Sequence, residues 1–338
     1  MSRASEDDRE GSTRMTTDST ASLSQGAGAL AELVELNRDA AEELGLLLSR
    51  SLSFDECSVE MVRATVFGDP AMRERYTLGL RDRGRLVAAL VGVAQEHSWE
   101  GRPVRVGHLK VLATDPTARR RGHATRLLEE LESRFAADGL AAAMISGPAY
   151  YLWGGLDVRY SAALCLFQRR DYTREGDAFN LEVQLQGHDY STAAEEDALA
   201  AQGITFRRVE STDRAALDAY LQKWGSWREE TLRAFDREPI NVHIALQAGQ
   251  IVAFAATDIA RPGWFGPTGA DEALRGQGIG SILIRRCLSD WQRAGRKSGE
   301  ISWIGPLYFY VSSVDARVSR VMWYMRKLLG VTAEPPPT

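Results

Sequence analysis

The sequence lacks the residue patterns that mark the common redox, metal and membrane classes. Its three cysteines, Cys57, Cys165 and Cys287, lie far apart and form no CxxC pair. Reduced, partly buried thiols in a reducing compartment are therefore expected, rather than a disulfide framework. The five histidines, His97, His108, His123, His188 and His243, show no HExxH or similar spacing, so no metal site is expected. No apolar run reaches the ~18 residues of a membrane span. The first 29 residues, rich in Ser, Thr, Asp and Gly, contain no apolar stretch of the secretory type. A cytoplasmic protein is the expectation. The net charge of -5 is mild, and no basic stripe points to nucleic acid.

What is present is the balance of an ordinary globular chain, 44% hydrophobic and 26% charged. Its 338 residues suit two domains of roughly 100–200 residues, each large enough to bury its own core. A weak internal repeat supports that division. VLATDPTARRRGHATRLLEELESRF from Val111 and PTGADEALRGQGIGSILIRRCLSDW from Pro267 share one layout. An extended segment enters a loop with Arg-x-x-Gly-x-Gly/Ala, and an amphipathic helix follows. Gly122 and Gly278 stand 156 residues apart, a whole-domain period rather than a solenoid repeat.

The flanks repeat too. Helical stretches at Leu30–Ser49 and Glu56–Val66 precede strand-like runs at Arg75–Leu80, Arg85–Val93 and Arg105–Ala113. After the loop helix come an apolar run at Ala141–Ser146, a helix at Ser161–Arg170 and a strand at Ala178–Leu185. The second half repeats the order: a strand at Ile204–Val209, helices at Ala215–Trp224 and Arg228–Phe235, and a hairpin around Ala248-Gly249. An extended run at Gly263–Gly269 leads to its loop. A helix from Ile279, a strand at Glu300–Ile304, a short helix at Leu307–Ser312 and a strand at Val321–Arg326 complete it. This is a mixed α/β fold with largely antiparallel sheets. Expected boundaries are a disordered tail at 1–29, a first domain at 30–186, a polar connector at 187–202, a second domain at 203–330 and a tail at 331–338.

Arg275-Gly276-Gln277-Gly278-Ile279-Gly280-Ser281 opens into a helix. Glycines there leave backbone N–H groups uncovered, and the helix N-terminus favours an anion, so the segment suits a pyrophosphate. Arg119-Arg120-Arg121-Gly122-His123-Ala124 repeats the device with added positive charge. The spacing is not that of a Rossmann fingerprint, and the Gly-Lys-Ser/Thr of a P-loop is absent; Gly295-Arg296-Lys297-Ser298 only mimics it.

This strand–loop–helix resembles motif A of the GNAT acetyltransferases. The resemblance implies two tandem GNAT domains, each a mixed sheet splayed between its fourth and fifth strands with acetyl-CoA in the gap. The proline common at the start of the loop is present as Pro116 but replaced by Glu272 in the second half. GPAYYLWGGLDVRYSAALCLFQRRDY from Gly147 and FGPTGADEALRGQGIG with WIGPLYFY resemble, more narrowly, tandem GNAT proteins that include bacterial glucosamine and glucosaminide N-acetyltransferases.

By the same resemblance, a tyrosine on the helix after the fifth strand supplies the proton for the departing thiolate. Tyr310 stands there in the second half, with Tyr308 two positions away on another helix face. The first half ends its matching stretch in Phe167, so the second half is expected to be catalytic. The resemblance also implies backbone N–H groups near Gly269 and Ala270 as the oxyanion site. Asp258 is the candidate base, with Asp271 and Glu272 nearer the loop. Trp224 and Trp227, in Lys223-Trp224-Gly225-Ser226-Trp227-Arg228, suit an acceptor wall, since indoles stack on sugar faces, or equally a core. The expected reaction is acetyl transfer to a small-molecule amine, best an amino sugar. A mycothiol-synthase-like acceptor, an aminoglycoside, or a non-catalytic acetyl-CoA-binding sensor are the alternatives.

Overall fold

A computed structural model describes residues 30–330 apart from Glu100 and Ala149; the expected tails lie outside the described residues. Thirteen strands form a single sheet. In the first half these are β1 (Glu32–Glu35), β2 (Thr77–Asp82), β3 (Arg85–Trp99), β4 (Arg102–Thr114), β5 (Ala142–Ile145), the two-residue β6 (Leu156–Asp157) and β7 (Thr173–Gln184). The second half contributes β8 (Ile204–Arg208), β9 (Val242–Gln247), β10 (Gln250–Thr257), β11 (Trp264–Ala270), β12 (Ser298–Ile301) and β13 (Arg317–Leu328). Helices α1 (Ala41–Ser51), α2 (Val59–Val62), α3 (His123–Ala137) and α4 (Ser161–Gln168) belong to the first half. After them come α5 (Ala193–Ala200), α6 (Arg214–Leu221), α7 (Ser226–Leu232), α8 (Ile279–Arg293) and α9 (Leu307–Val314).

Local chemistry accounts for the two hairpins. Arg83-Gly84 and Ala248-Gly249 all adopt positive φ, the two-residue turn whose twist matches the flanking strands. Buried runs such as Val87–Val91 then fill the centre of the sheet. The long helices α3 and α8 each bury one stripe, Leu127, Leu128, Leu131 and Phe135 in one, Ile282, Leu283, Cys287, Leu288 and Trp291 in the other.

One expectation requires correction. Leu30–Ser49 is not one helix: Glu32–Glu35 pairs with β2 as an edge strand, and helix begins only after Asn37, whose side chain accepts from Asp39 N. The pairing partner lies more than 40 residues away, so local pattern does not reveal it. The polar stretch 187–202 contains α5, whose Glu195 and Glu196 pair with Arg285 and Arg286 on α8. The stretch expected to connect the halves is thus helical in part, with the composition of a solvated helix face. Cys57 and Cys287 are buried, Cys165 is exposed, and all three are free.

The strand order is β1-β2-β3-β4-β5-β13-β7-β12-β11-β10-β9-β8. The final strands of the two halves are therefore exchanged. β13, at the end of the chain, pairs with β5, while β7 pairs with β12. A buried charge network reinforces this seam. The Asp55 carboxylate accepts from Trp153 Nε1 (2.6 Å), Tyr160 Oη (2.7 Å) and Arg320 of β13 (2.5 Å). Arg320 also reaches Glu300 of β12 at 3.0 Å.

In the first half, Lys110 of β4 is fully enclosed and pairs with Asp69 at 2.7 Å, donating also to Thr65 O. Removing one member of such a pair strands the other charge in low dielectric. Asp69→Ala is expected to destabilise the fold by about 3–5 kcal/mol, read as a lower urea midpoint, whereas the exposed Glu272→Ala should leave that midpoint unchanged.

Candidate active site

The site of the second half begins where two parallel strands part. β11 and β12 pair only at Trp264–Glu300 and Phe265–Ile301. Beyond that, β11 runs on to Ala270 while β12 stops and the chain turns towards α9. Gly266, Thr268, Gly269 and Ala270 are half-buried along the parted edge.

β11 leads through Asp271 and a 3-10 turn at Glu272–Leu274 into the glycine loop. Gly276 and Gly278 have φ of 81° and 84°, and Gly278 caps α8 without any side chain closing its first turn. A Cβ on either glycine would meet nothing within 4 Å. Gly276, Gln277 and Gly278 are exposed, at the positive end of a 15-residue helix whose first-turn N–H groups have no partner within the helix. Arg275 beside them is exposed and loosely paired with Glu272. These residues fit a pyrophosphate: a left-handed glycine cap without a side-chain partner, the positive end of a long helix, and a guanidinium beside it.

α9 packs on the same turn, since a Cβ on Gly280 would come 3.1 Å from the Phe309 ring. The next residue, Tyr310, is 7% exposed and meets Phe265 edge-on at 6.3 Å between ring centroids. Phe265 is the last residue of β11 still paired to β12, so Tyr310 lies against the point of parting. Burial pushes its phenol up to about 12, keeping it protonated at working pH. Tyr308 is 83% exposed. In the first half, α4 has no hydroxyl aromatic: Phe167 is its buried member, and Leu164 holds the fourth helical position that Tyr310 holds in α9.

The first half repeats the parting, with β4 and β5 paired only at Gly107–Ala143 and His108–Met144, but its gap is filled. Leu109, Lys110, Val111 and Ala113 are buried. Leu152, from the loop after β5, packs into the core of α1 and α2 beside Val111 and Ala113. Gly122 caps α3 with φ of 80°. Around it, however, Arg119 donates to Ser51 O (2.9 Å) and Arg121 to Thr117 O (3.2 Å). Arg120 is exposed, and His123 and Ala124 are half-buried.

The carboxylates anticipated as bases are engaged elsewhere. Asp258 accepts from Gly263 N (2.5 Å), Trp291 Nε1 (2.7 Å) and Arg296 (3.1 Å). Trp291 stands thirteen residues along α8 from Gly278, about 20 Å from the glycine cradle. Asp258 thus clamps the far end of that helix to the sheet. Asp271 is held by Lys223 (2.5 Å) and the Tyr220 hydroxyl (3.0 Å).

Trp224 and Trp227 stack at 5.6 Å with planes 14° apart. Trp224 covers β11: a Cβ on Gly269 would fall 2.5 Å from its indole. Trp227 remains 39% exposed. Sequence reasoning missed two neighbours of this wall. Glu230 lies one turn beyond Trp227, the i, i+3 relation that could have signalled it, and Tyr151 comes from the first half, where only tertiary contact places it.

Residues 52–154 match the profile of the acetyltransferase (GNAT) domain family. In fold, the chain is similar to a glucosamine N-acetyltransferase region of a fungal multi-domain GH3 β-N-acetylglucosaminidase, with 15% identity and a TM-score of 0.69; the match covers 88% of this chain and 38% of that protein. A GCN5-related N-acetyltransferase from Sphaerobacter thermophilus gives 17% identity and a TM-score of 0.61, covering 88% and 95% of the two chains. A tandem GNAT protein of the clavulanic acid pathway gives 15% and 0.60, covering 90% and 99%. N-myristoyltransferase from Saccharomyces cerevisiae with bound myristoyl-CoA shares the fold at 12% identity and a TM-score of 0.59, covering 88% of this chain and 78% of the enzyme. No curated protein matches in sequence. Residues 52–154 thus carry a GNAT acetyltransferase domain, and the chain, with its two parted parallel strand pairs, shares the fold of a tandem GNAT protein over most of its length.

Proposed function

We propose that the second half transfers the acetyl group of acetyl-CoA to a primary amine of a small molecule, an amino sugar or a glycoside carrying one. The observation that carries this reading is the joint placement of an open, glycine-capped α8 and a buried Tyr310 on one parted strand pair. Gln277–Ser281 would hold the pyrophosphate, with N–H groups near Gly269 and Ala270 at the acyl end. Acetyl-CoA supplies an activated thioester. The chain orients it, shields it with Trp224, and holds a protonated phenol for the departing sulfur.

The amino-sugar preference rests on the stacked indoles, one of them exposed on the acceptor side. It agrees with the glucosamine N-acetyltransferase named among the structural neighbours. The test is thiol release from acetyl-CoA with a panel of glucosamine, glucosaminides, aminoglycosides, a cysteinyl pseudo-disaccharide and lysine peptides. The expected result is the highest kcat/KM with glucosamine or a glucosaminide. Preference for a cysteinyl or aminoglycoside acceptor would redirect the assignment, and binding of acetyl-CoA without turnover of any amine would favour a sensor.

A further inference from the structure

Glu230 is a carboxylate that the phosphate loop and the phenol do not use. It lies on α7, which packs against β11, one turn from Trp227 on the same side of the helix. Asp258, Asp271 and Glu300 all have short polar partners, whereas Glu230 forms no ion pair among the described residues. It is half-buried, and burial holds its carboxyl above the ordinary range against the opposing pull of Arg233.

Tyr151, on the first-half loop between β5 and β6, lies within range of the Glu230 charge. Burial, and next the charge of Glu230, push the Tyr151 phenol upwards, while Ser302, Arg233 and Arg261 pull the other way. Ser302 follows directly on Ile301, the last residue of β12 paired to β11. The Tyr151 ring meets Trp303 edge-on at 5.1 Å. Trp303 is seated against Gly147, where a Cβ would fall 2.3 Å from its indole. Arg233, beyond Glu230 on the same segment, covers the Tyr150 ring at 5.3 Å. Glu230 is thus connected through a first-half aromatic loop to the point where the acyl-bearing strands part.

We infer that Glu230 receives the ammonium of the acceptor and takes its proton, in a pocket that Tyr151 of the first half completes. The inference rests on the acetyltransferase reading above and deepens it. Glu230 and the rings of Trp227 and Tyr151 combine one carboxylate with aromatic faces, chemistry that selects a cationic amine on a ring with an apolar C–H face. One proton passes from the ammonium to Glu230, and the neutral amine forms the C–N bond as the C–S bond breaks. The thiolate leaves with the proton of Tyr310, the nitrogen sheds its second proton to water, and Glu230 and Tyr310 re-equilibrate with solvent.

The test uses the full chain with glucosamine and acetyl-CoA. Glu230→Gln is expected to lower kcat/KM for the amine about 10²-fold, within the range of a lost general base. A base acts ionised, so wild-type activity rises as pH climbs through the elevated Glu230 value. Gln lacks that limb, and Glu230→Asp restores part of it. Tyr151→Ala should raise the amine KM about tenfold while calorimetric acetyl-CoA affinity stays at the wild-type value. A wild-type pH profile in Glu230→Gln overturns the inference, as does loss of the limb in Glu300→Gln instead. A wild-type chain that binds acetyl-CoA but turns over no amine overturns the parent reading, a result distinct from either.

Discussion

Tyr310→Phe lowers kcat by about 10²–10⁴-fold while the acetyl-CoA dissociation constant stays near that of the wild type. The substitution removes one oxygen and keeps the ring that packs on Phe265 and Phe309, so the fold and the cradle persist. What is lost is the proton for the leaving sulfur, a contribution made as the bond breaks rather than on binding. Burial places the phenol at about 12. The group therefore remains a donor throughout the working range, and activity is not expected to decline with pH on its account until that value is approached. Stopped-flow thiol release and calorimetry check the two halves of this prediction. Equal kcat in the variant would reduce Tyr310 to a packing aromatic, and the exposed Tyr308 would be tested next.

Gly278→Glu is expected to reduce kcat/KM for acetyl-CoA by about 10²–10³-fold, equivalent to about 3–4 kcal/mol. Gly122→Glu should cost less than tenfold. The comparison is controlled by the backbone. Both glycines cap a 15-residue helix with nearly the same angles, φ 80° ψ 1° and φ 84° ψ -6°, and neither Cβ would meet a neighbour within 4 Å. The left-handed conformation costs a non-glycine residue about 1–2 kcal/mol at either site, so a difference in activity between them reports the ligand. A carboxylate at Gly278 repels the pyrophosphate at the helix end. At Gly122 it enters a half whose gap is already filled by Lys110, Val111 and Leu152. Circular dichroism confirms folding in each case. Loss of turnover in folded Gly122→Glu with activity retained in Gly278→Glu would transfer the chemistry to the first half.

How much of this was legible in the sequence depended on the range of the interaction responsible. The hairpins at Arg83-Gly84 and Ala248-Gly249 and the helices after Gly122 and Gly278 are set by turn chemistry and amphipathic period within a few residues, and sequence placed them. The helix that carries Tyr310 was located by motif and spacing. From sequence Asp258 is an acidic residue after a strand, and only the fold brings Trp291 and Arg296 onto its carboxylate. Glu230 was overlooked for the converse reason, since an acidic residue on an amphipathic helix reads as solvated until α7 is laid against β11.

By itself, the sequence determined that there are two related halves, that each carries a strand–loop–helix suited to a phosphate, and that only the second follows it with a helical tyrosine. These are local properties of backbone freedom, charge and hydrophobic period. The tertiary structure alone decided that β7 and β13 change places and that the first-half cleft is filled while the second stays parted. It also decided that Tyr151, on a loop of the first half, meets Trp303 of the second. Those outcomes rest on strand pairing and packing between residues far apart in the chain, such as Leu328 of β13 with Ala142 of β5, 186 positions away, where register is set by which surfaces can be buried together rather than by any segment alone.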